Sequence, residues 1–292
     1  MLAEQQHVGE QPEPLPVVLQ VRRGLAESPG WFLIQATEFA PEPLTLDNLR
    51  VRHTYASERI MVAMLELMAT EQWLDRDATA GYHLTEVGRD WANRLRPRRH
   101  AQIAALEEPL APGEVARLAH LLGRVIDGSL ASVAPDSWSL AHSRRRAPAA
   151  DAPPLVQIFQ YVEDINAFRD DAHMAAWRAH DVEGYVWESF AYVVDGQATT
   201  AAAQFEQLAY RGHSRVERAA ALEQLARRGW VEQIDDQAYQ PTEAGRAVHA
   251  AVERQTDEYF YAPWACLSEE DLAAAHMLLI ELRDRFQEAA GP

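Results

Sequence analysis

A chain of 292 residues with 48% apolar and 24% charged residues is globular in composition and long enough to bury one large core or two ordinary ones. All 27 of its cationic residues are arginine, which excludes the Walker A phosphate loop and Schiff-base catalysis, both of which need a lysine. Its lone cysteine, Cys266, excludes an internal disulfide, and the net charge of −17 weighs against nucleic-acid affinity, which comes largely from cations that displace counterions.

Residues 1–14 read as a disordered start. They are polar and acidic where a secretory signal is basic and then apolar, and no apolar run reaches the roughly 18 residues of a membrane span, so the expectation is a cytoplasmic chain without a membrane partner. Residues 15–127 read as a first domain. Its helical segment 46–52 leads through the turn "RHTYAS" into a helix over 57–70, with Ser57 placed to cap it and apolar residues at Ile60, Met64, Leu67 and Met68. A tryptophan-led strand, "WLDRD", a polar turn and a return strand, "YHLT", follow, and Thr85 stands as the cap of another helix.

Residues 128–154 are rich in Ser, Ala and Pro, show no sustained helical period and read as a linker; their Arg144–Arg146 run is the densest basic stretch. Residues 155–292 read as a second domain, opening on a helix over about 155–180 with an apolar line through Ile158, Val162, Ile165, Ala172 and Ala176. Then the first domain's order returns: a helical segment over 200–210, the turn "RGHS", a helix over 214–228 with Val216, Ala219, Leu222 and Leu225 on one stripe, strands "WVEQI" and "YQPT", and Thr242 as a cap. A shift of 157 aligns the two without a gap, with 11 identities in the 33 positions from Ser57 to Arg89. The chain is read as an internal duplication.

The stretch "RGHSRVERAAALEQLARRGWVEQIDDQAYQPTEAGRAV" resembles the winged-helix domain of MarR-type regulators, over about 85 residues of each half. Such regulators are homodimers of roughly half this length, so the resemblance implies a fused pseudo-dimer. The expected fold is mainly α with small two-stranded wings, a tandem winged helix-turn-helix forming an intramolecular pseudo-dimer. The C-terminal half is also similar to an uncharacterised, mainly actinobacterial tandem winged-helix family, through Arg169, Asp171 and His173 and then Thr256, Asp257, Pro263 and Trp264.

On this reading the helices 57–70 and 214–228 enter successive major grooves of duplex DNA, with Arg59, Arg215 and Arg218 reading bases or anchoring phosphates, helped by His53. The charge is not generous. Residues 44–76 hold four arginines against five carboxylates, residues 204–234 five against four, and the second wing carries Asp235 and Asp236 at its tip.

A ligand site is the second expectation. Arg169, Asp170, Asp171 and His173 share one neighbourhood on the 155–180 helix, either as an interfacial ion pair with a structural histidine or as part of a pocket. Tyr259, Phe260, Tyr261 and Trp264 either pack the last helix or wall a pocket for a small aromatic or apolar molecule, with Tyr259 and Trp264 as contacts. No catalytic residue, metal ligand or cofactor is assigned. The expected function is a ligand-responsive, MarR-like regulator acting as a single-chain pseudo-dimer, with further dimerisation left open. The alternative is a scaffold that has abandoned DNA and works as a small-molecule binding protein or enzyme around Arg169, Asp171 and His173.

Overall fold

A computed structural model describes residue 33 and residues 36–79, 81–106, 110–235 and 237–290. The expected disordered start lies outside the described residues. The first unit runs α1 (Leu46–Arg52), α2 (Glu58–Thr70), β1 (Leu74–Arg76), β2 (Tyr82–Leu84) and α3 (Glu86–Ala104). Three helices follow, α4 (Pro112–Leu130), α5 (Trp138–Arg144) and α6 (Pro154–Arg178). The second unit comprises α7 (Gly184–Val194), α8 (Ala201–Gln207), a 3-10 turn, α9 (Arg215–Arg227), β3 (Val231–Gln233), β4 (Tyr239–Pro241) and α10 (Glu243–Tyr261), and α11 (Glu269–Ala290) closes the chain. The result is a mainly helical α+β protein with two small antiparallel hairpins, each behind a helix-turn-helix.

The phrase common to both units, Thr-Glu-x-Gly-Arg, has a physical cause that the structure repeats. In the first unit the Thr85 amide donates to the Trp73 carbonyl at 3.0 Å, and the Thr85 hydroxyl accepts from Gly88 N at 2.9 Å as the cap of α3. Thr242, Trp230 and Gly245 make the same bonds at the same distances. A Cβ on Gly88 would sit 2.1 Å from the Trp73 carbonyl oxygen, and one on Gly245 1.9 Å from that of Trp230. Only glycine lets the helix rest on the wing at this point. Each wing also gains a third short pairing, Leu44 with Tyr82 and Thr200 with Ala238.

Four apolar clusters hold the described residues, the smallest joining Ile126, Leu140 and Phe168 of α4, α5 and α6. Of the three larger ones, one lies under the first wing, one under the second, and the third joins α4, α6 and α11 between them. In this middle cluster Leu121, Leu122 and Val125 of α4 lie with Leu278, Leu279 and Leu282 of α11, the residues that the 157-residue shift equates. Each buried leucine there contributes about 1.5–3 kcal/mol. Helix α6 is the spine. Its N-terminal half packs in the middle cluster, and its C-terminal half, through Met174, Ala176 and Trp177, belongs to the second unit's core.

The structure corrects three local expectations. The segment 128–154 is no plain linker, because α5 lies within it and buries Ser139, Leu140 and Ser143. Val216, expected on the buried stripe of α9, is 78% exposed, and Arg218 takes the buried place instead. Val162, expected on the apolar line of α6, is likewise exposed, while Ile158, Ala172 and Ala176 are buried as expected.

Candidate nucleic-acid interface and the seam between the two helix-turn-helix units

The turns that lead into α2 and α9 meet each other. Ser57 N donates to the Arg211 carbonyl at 2.8 Å, and His213 Nε2 donates to the Tyr55 carbonyl at 3.0 Å. The Arg59 guanidinium donates to the Gly212 carbonyl and to the Glu217 carboxylate, each at 2.7 Å. The approach is close enough to need glycine twice. Gly212 has a φ of +76°, and a Cβ there would lie 2.6 Å from Ser57 Oγ; a Cβ on Gly184, at the start of α7, would lie 2.2 Å from the Thr54 carbonyl.

The Arg59–Glu217 bridge ties the first turns of α2 and α9 to each other, so the two reading helices are held start to start in the conformation described.

The arginines divide accordingly. Arg218 is 0% exposed and donates to Glu188 at 3.1 Å and to Ser189 Oγ at 3.0 Å, so it is removed from the expected DNA-contacting set. The same Glu188 receives Arg211 at 2.8 Å. Arg59 is exposed but committed to the seam, and Arg215, the first residue of α9, is exposed. Burial, with the charges of Arg52 and Arg211, pushes His53 down to about 3 and keeps it neutral. The Arg144–Arg146 run is engaged within the fold, with Arg146 buried and Arg145 exposed: Arg144 pairs with the fully buried Asp164 at 2.7 Å, Arg145 donates to the Glu38 carbonyl at 2.6 Å, and Arg146 pairs with Glu38 and Glu163. The wing tips spend their acids on their own turns. Asp77 accepts from Thr79 N and Gly81 N and pairs with His83, and Asp235 accepts from Gln237 N and Ala238 N. Asp236 lies outside the described residues.

The expected neighbourhood on α6 is partly dispersed, because residues within little more than one turn of helix face different sides, although Arg169 and His173 both approach Glu253 at 3.7 Å. Arg169 reaches Glu253 at 3.7 Å, and Asp170 faces Arg52 at 3.7 Å. Asp171 accepts from the Ser139 and Leu140 amides at 2.9 and 3.0 Å, so it caps the start of α5; burial pushes its carboxyl up to about 6. His173 accepts at Nε2 from the Trp187 indole at 3.1 Å, which leaves its hydrogen on Nδ1, 3.2 Å from Thr256 Oγ1. The Thr256 hydroxyl in turn donates to the Val252 carbonyl at 2.8 Å. Burial, then the charge of Arg169, pushes His173 down to about 4. Both ring nitrogens of His173 are thus engaged, one by Trp187 and one by Thr256.

Two of the cavities bear on a ligand. One of about 700 Å³ lies between α10 and α11, lined by Phe260, Tyr261, Trp264, Leu272, His276 and Leu279. Trp264 is part of it; Tyr259 is not, its hydroxyl instead accepting from Gln255. The other, of about 670 Å³, lies at the seam, lined by His53 and Ser57 of the first unit and by Trp177, Tyr185 and His213 of α6 and the second. No sequence pattern pointed to it, since its walls come from five separate stretches of chain.

Among the described residues no cluster of three or more His, Cys, Asp or Glu side chains is placed to hold a metal, and no helix is long and apolar enough to cross a membrane. Neither the curated proteins nor the solved structures include a significant match to this chain. A helix-turn-helix family, in contrast, matches residues 53–291, a span that begins just after α1 and takes in the rest of the first unit, the whole second unit and everything between them. The chain belongs to that helix-turn-helix family, which supports a DNA-binding regulator as its general class.

Proposed function

We propose that the protein is a ligand-responsive regulator, a MarR-like pseudo-dimer fused into one chain, whose two reading helices are held start to start in the conformation described. One observation carries the reading: the same turn-to-turn bonds fix the separation of α2 and α9 and close a cavity of small-molecule size. A ligand that favours an open seam would release the helices toward DNA, and one that favours the closed seam would withhold them. The apolar cavity walled by Phe260 and Trp264 suits the small aromatic or apolar effector expected from the sequence. Helix α10 carries that wall directly from the second wing.

The experiment is retention of random duplex DNA across a salt series by the full chain and by the seam variant Arg59→Ala/Glu217→Ala. The expected result is weak retention by the parent and stronger, steeply salt-dependent retention by the variant, enriched for a two-half-site sequence. No retention by either near 50 mM salt would sink the DNA step.

A second reading, a winged-helix scaffold that has left DNA and binds a small molecule, is favoured by the fate of the arginines. Arg218 is spent on Glu188 and Arg59 on the seam. Its enzymatic form would need His173 to release its bond to Trp187 or Thr256.

A further inference from the structure

Helix α9 presents two chemically different faces. Arg218, Ala221, Leu222 and Leu225 are buried, whereas Arg215, Val216, Ala220 and Glu223 are exposed and Ala219 is half-buried beside them. Residues 216, 219, 220 and 223 follow helical spacing and so share one outward face over the first turns. Val216, 78% exposed, is the most exposed large apolar side chain on any helix or strand among the described residues. The carboxylates nearby are engaged. Glu217 closes the cap with Ser214 and receives Arg59, and Glu223 lies 3.8 Å from Arg227.

The start of a reading helix is the part that meets base edges, and the two starts differ at the first two positions. The 157-residue shift puts Arg215 where α2 has Glu58, and Val216 where α2 has Arg59. In α2 the acid pairs with Arg50 and the arginine is bound to the seam. In α9 the same positions hold an exposed cation and an exposed apolar side chain. Valine and alanine carry no donor or acceptor, so base edges opposite Val216, Ala219 and Ala220 are met by apolar contact alone. The apolar feature that the major groove offers is the thymine 5-methyl group.

We propose that α9 sets the sequence preference by apolar readout: Val216 lies against a thymine 5-methyl group in the major groove, Ala220 borders the same methyl one turn on, and the Arg215 guanidinium takes the neighbouring phosphate. This readout rests on the regulator reading above and names the base feature that the regulator would recognise. Deoxyuridine pairs as thymidine does and lacks only the methyl group. Placed at the contacted position, it removes the contact and leaves the charge and the hydrogen-bonding edges of the base pair in place.

The test enriches sequences from a random duplex pool with the full chain and with the Arg59→Ala/Glu217→Ala variant, then resynthesises the enriched duplex with each thymidine replaced singly by deoxyuridine. At one position the replacement is expected to weaken binding about fourfold, the worth of one buried methyl group. Val216→Ala is expected to bind the thymidine duplex about fourfold more weakly and to distinguish the two duplexes by less than about twofold. Its urea midpoint should stay unchanged, because the side chain is exposed. Arg215→Ala is expected to weaken both duplexes alike and to lower the salt slope by about one. An enriched duplex with no deoxyuridine-sensitive thymine, or the same sensitivity in Val216→Ala, would overturn the methyl readout and leave the regulator reading standing. A loss confined to one base pair in Arg215→Ala would overturn its phosphate contact. No retention by either protein near 50 mM salt would overturn the regulator reading and this readout together.

Discussion

The two helix-turn-helix units share element order, caps and wing, yet differ where α2 meets α9. The position held by Met61 in the first unit is held by Arg218 in the second, and both are buried. The first fills its core with an apolar side chain; the second buries a guanidinium and supplies Glu188 and Ser189 to receive it. Arg59 of the first unit corresponds to the exposed Val216 of the second, so the salt bridge across the seam runs one way only. Ser214 caps its helix, and Ser57 does not. A joint between two similar halves is asymmetric here because each half contributes a different side chain to the same contact. That asymmetry leaves the Ser57 hydroxyl without a partner while its counterpart Ser214 is bonded to Glu217.

The largest expected effect tests the buried pair. Arg218→Ala leaves Glu188 in the core with Arg211 as its remaining partner and should cost about 3–5 kcal/mol. Met61→Ala removes only apolar contacts and should fall lower in the about 2–5 kcal/mol range of such truncations. Equal shifts in urea midpoint would mean that the two positions are energetically alike and would break the comparison.

Gly88→Ala and Gly245→Ala should each cost about 3 kcal/mol, since a methyl group cannot occupy the space of the tryptophan carbonyl it meets. Here the units should agree, and a denaturant series on both variants would show whether they do.

Acid should separate the units again. His173 is held near 4 in the fold against an ordinary 6.5, so between those values the unfolded chain binds the extra proton. The histidine's contribution is complete above about pH 6.5 and is lost as pH falls toward 4, roughly 3 kcal/mol at most. Asp171, raised to about 6, works in the opposite sense: the folded chain takes its proton first, and stability is gained as pH falls from about 6 toward 4. The first unit has Arg99 where the second has Thr256, and it pairs with Glu163. Melting temperature against pH for the parent and His173→Gln would isolate the histidine's share; parallel curves would dismiss it.

The smallest effect compares the caps. Ser214→Ala should lower stability by about 1 kcal/mol, the ordinary worth of an N-cap, and a matching loss in Ser57→Ala would contradict the unpartnered state of its hydroxyl.

The sequence by itself determined the elements and their repetition. Caps at Thr85 and Thr242, the glycines three residues on, the apolar stripes and the tryptophan-led strands all act within a few residues, so their meaning travels with the local string. The matching leucines of α4 and α11 align under the same shift, and it is the tertiary structure that brings those two faces together. What the tertiary structure decided involves partners far apart in the chain. Asp171 was offered to a ligand and went to the start of α5, about thirty residues away; His173 went to Trp187 and Thr256. Arg218 carried the charge of a DNA contact, and only its distance from Glu188 in space made it a core residue. The seam joins residues over 150 positions apart. Side-chain type and spacing say what a residue can bond; which group reaches it first is settled by the packing of the α6 spine and the two wings around it.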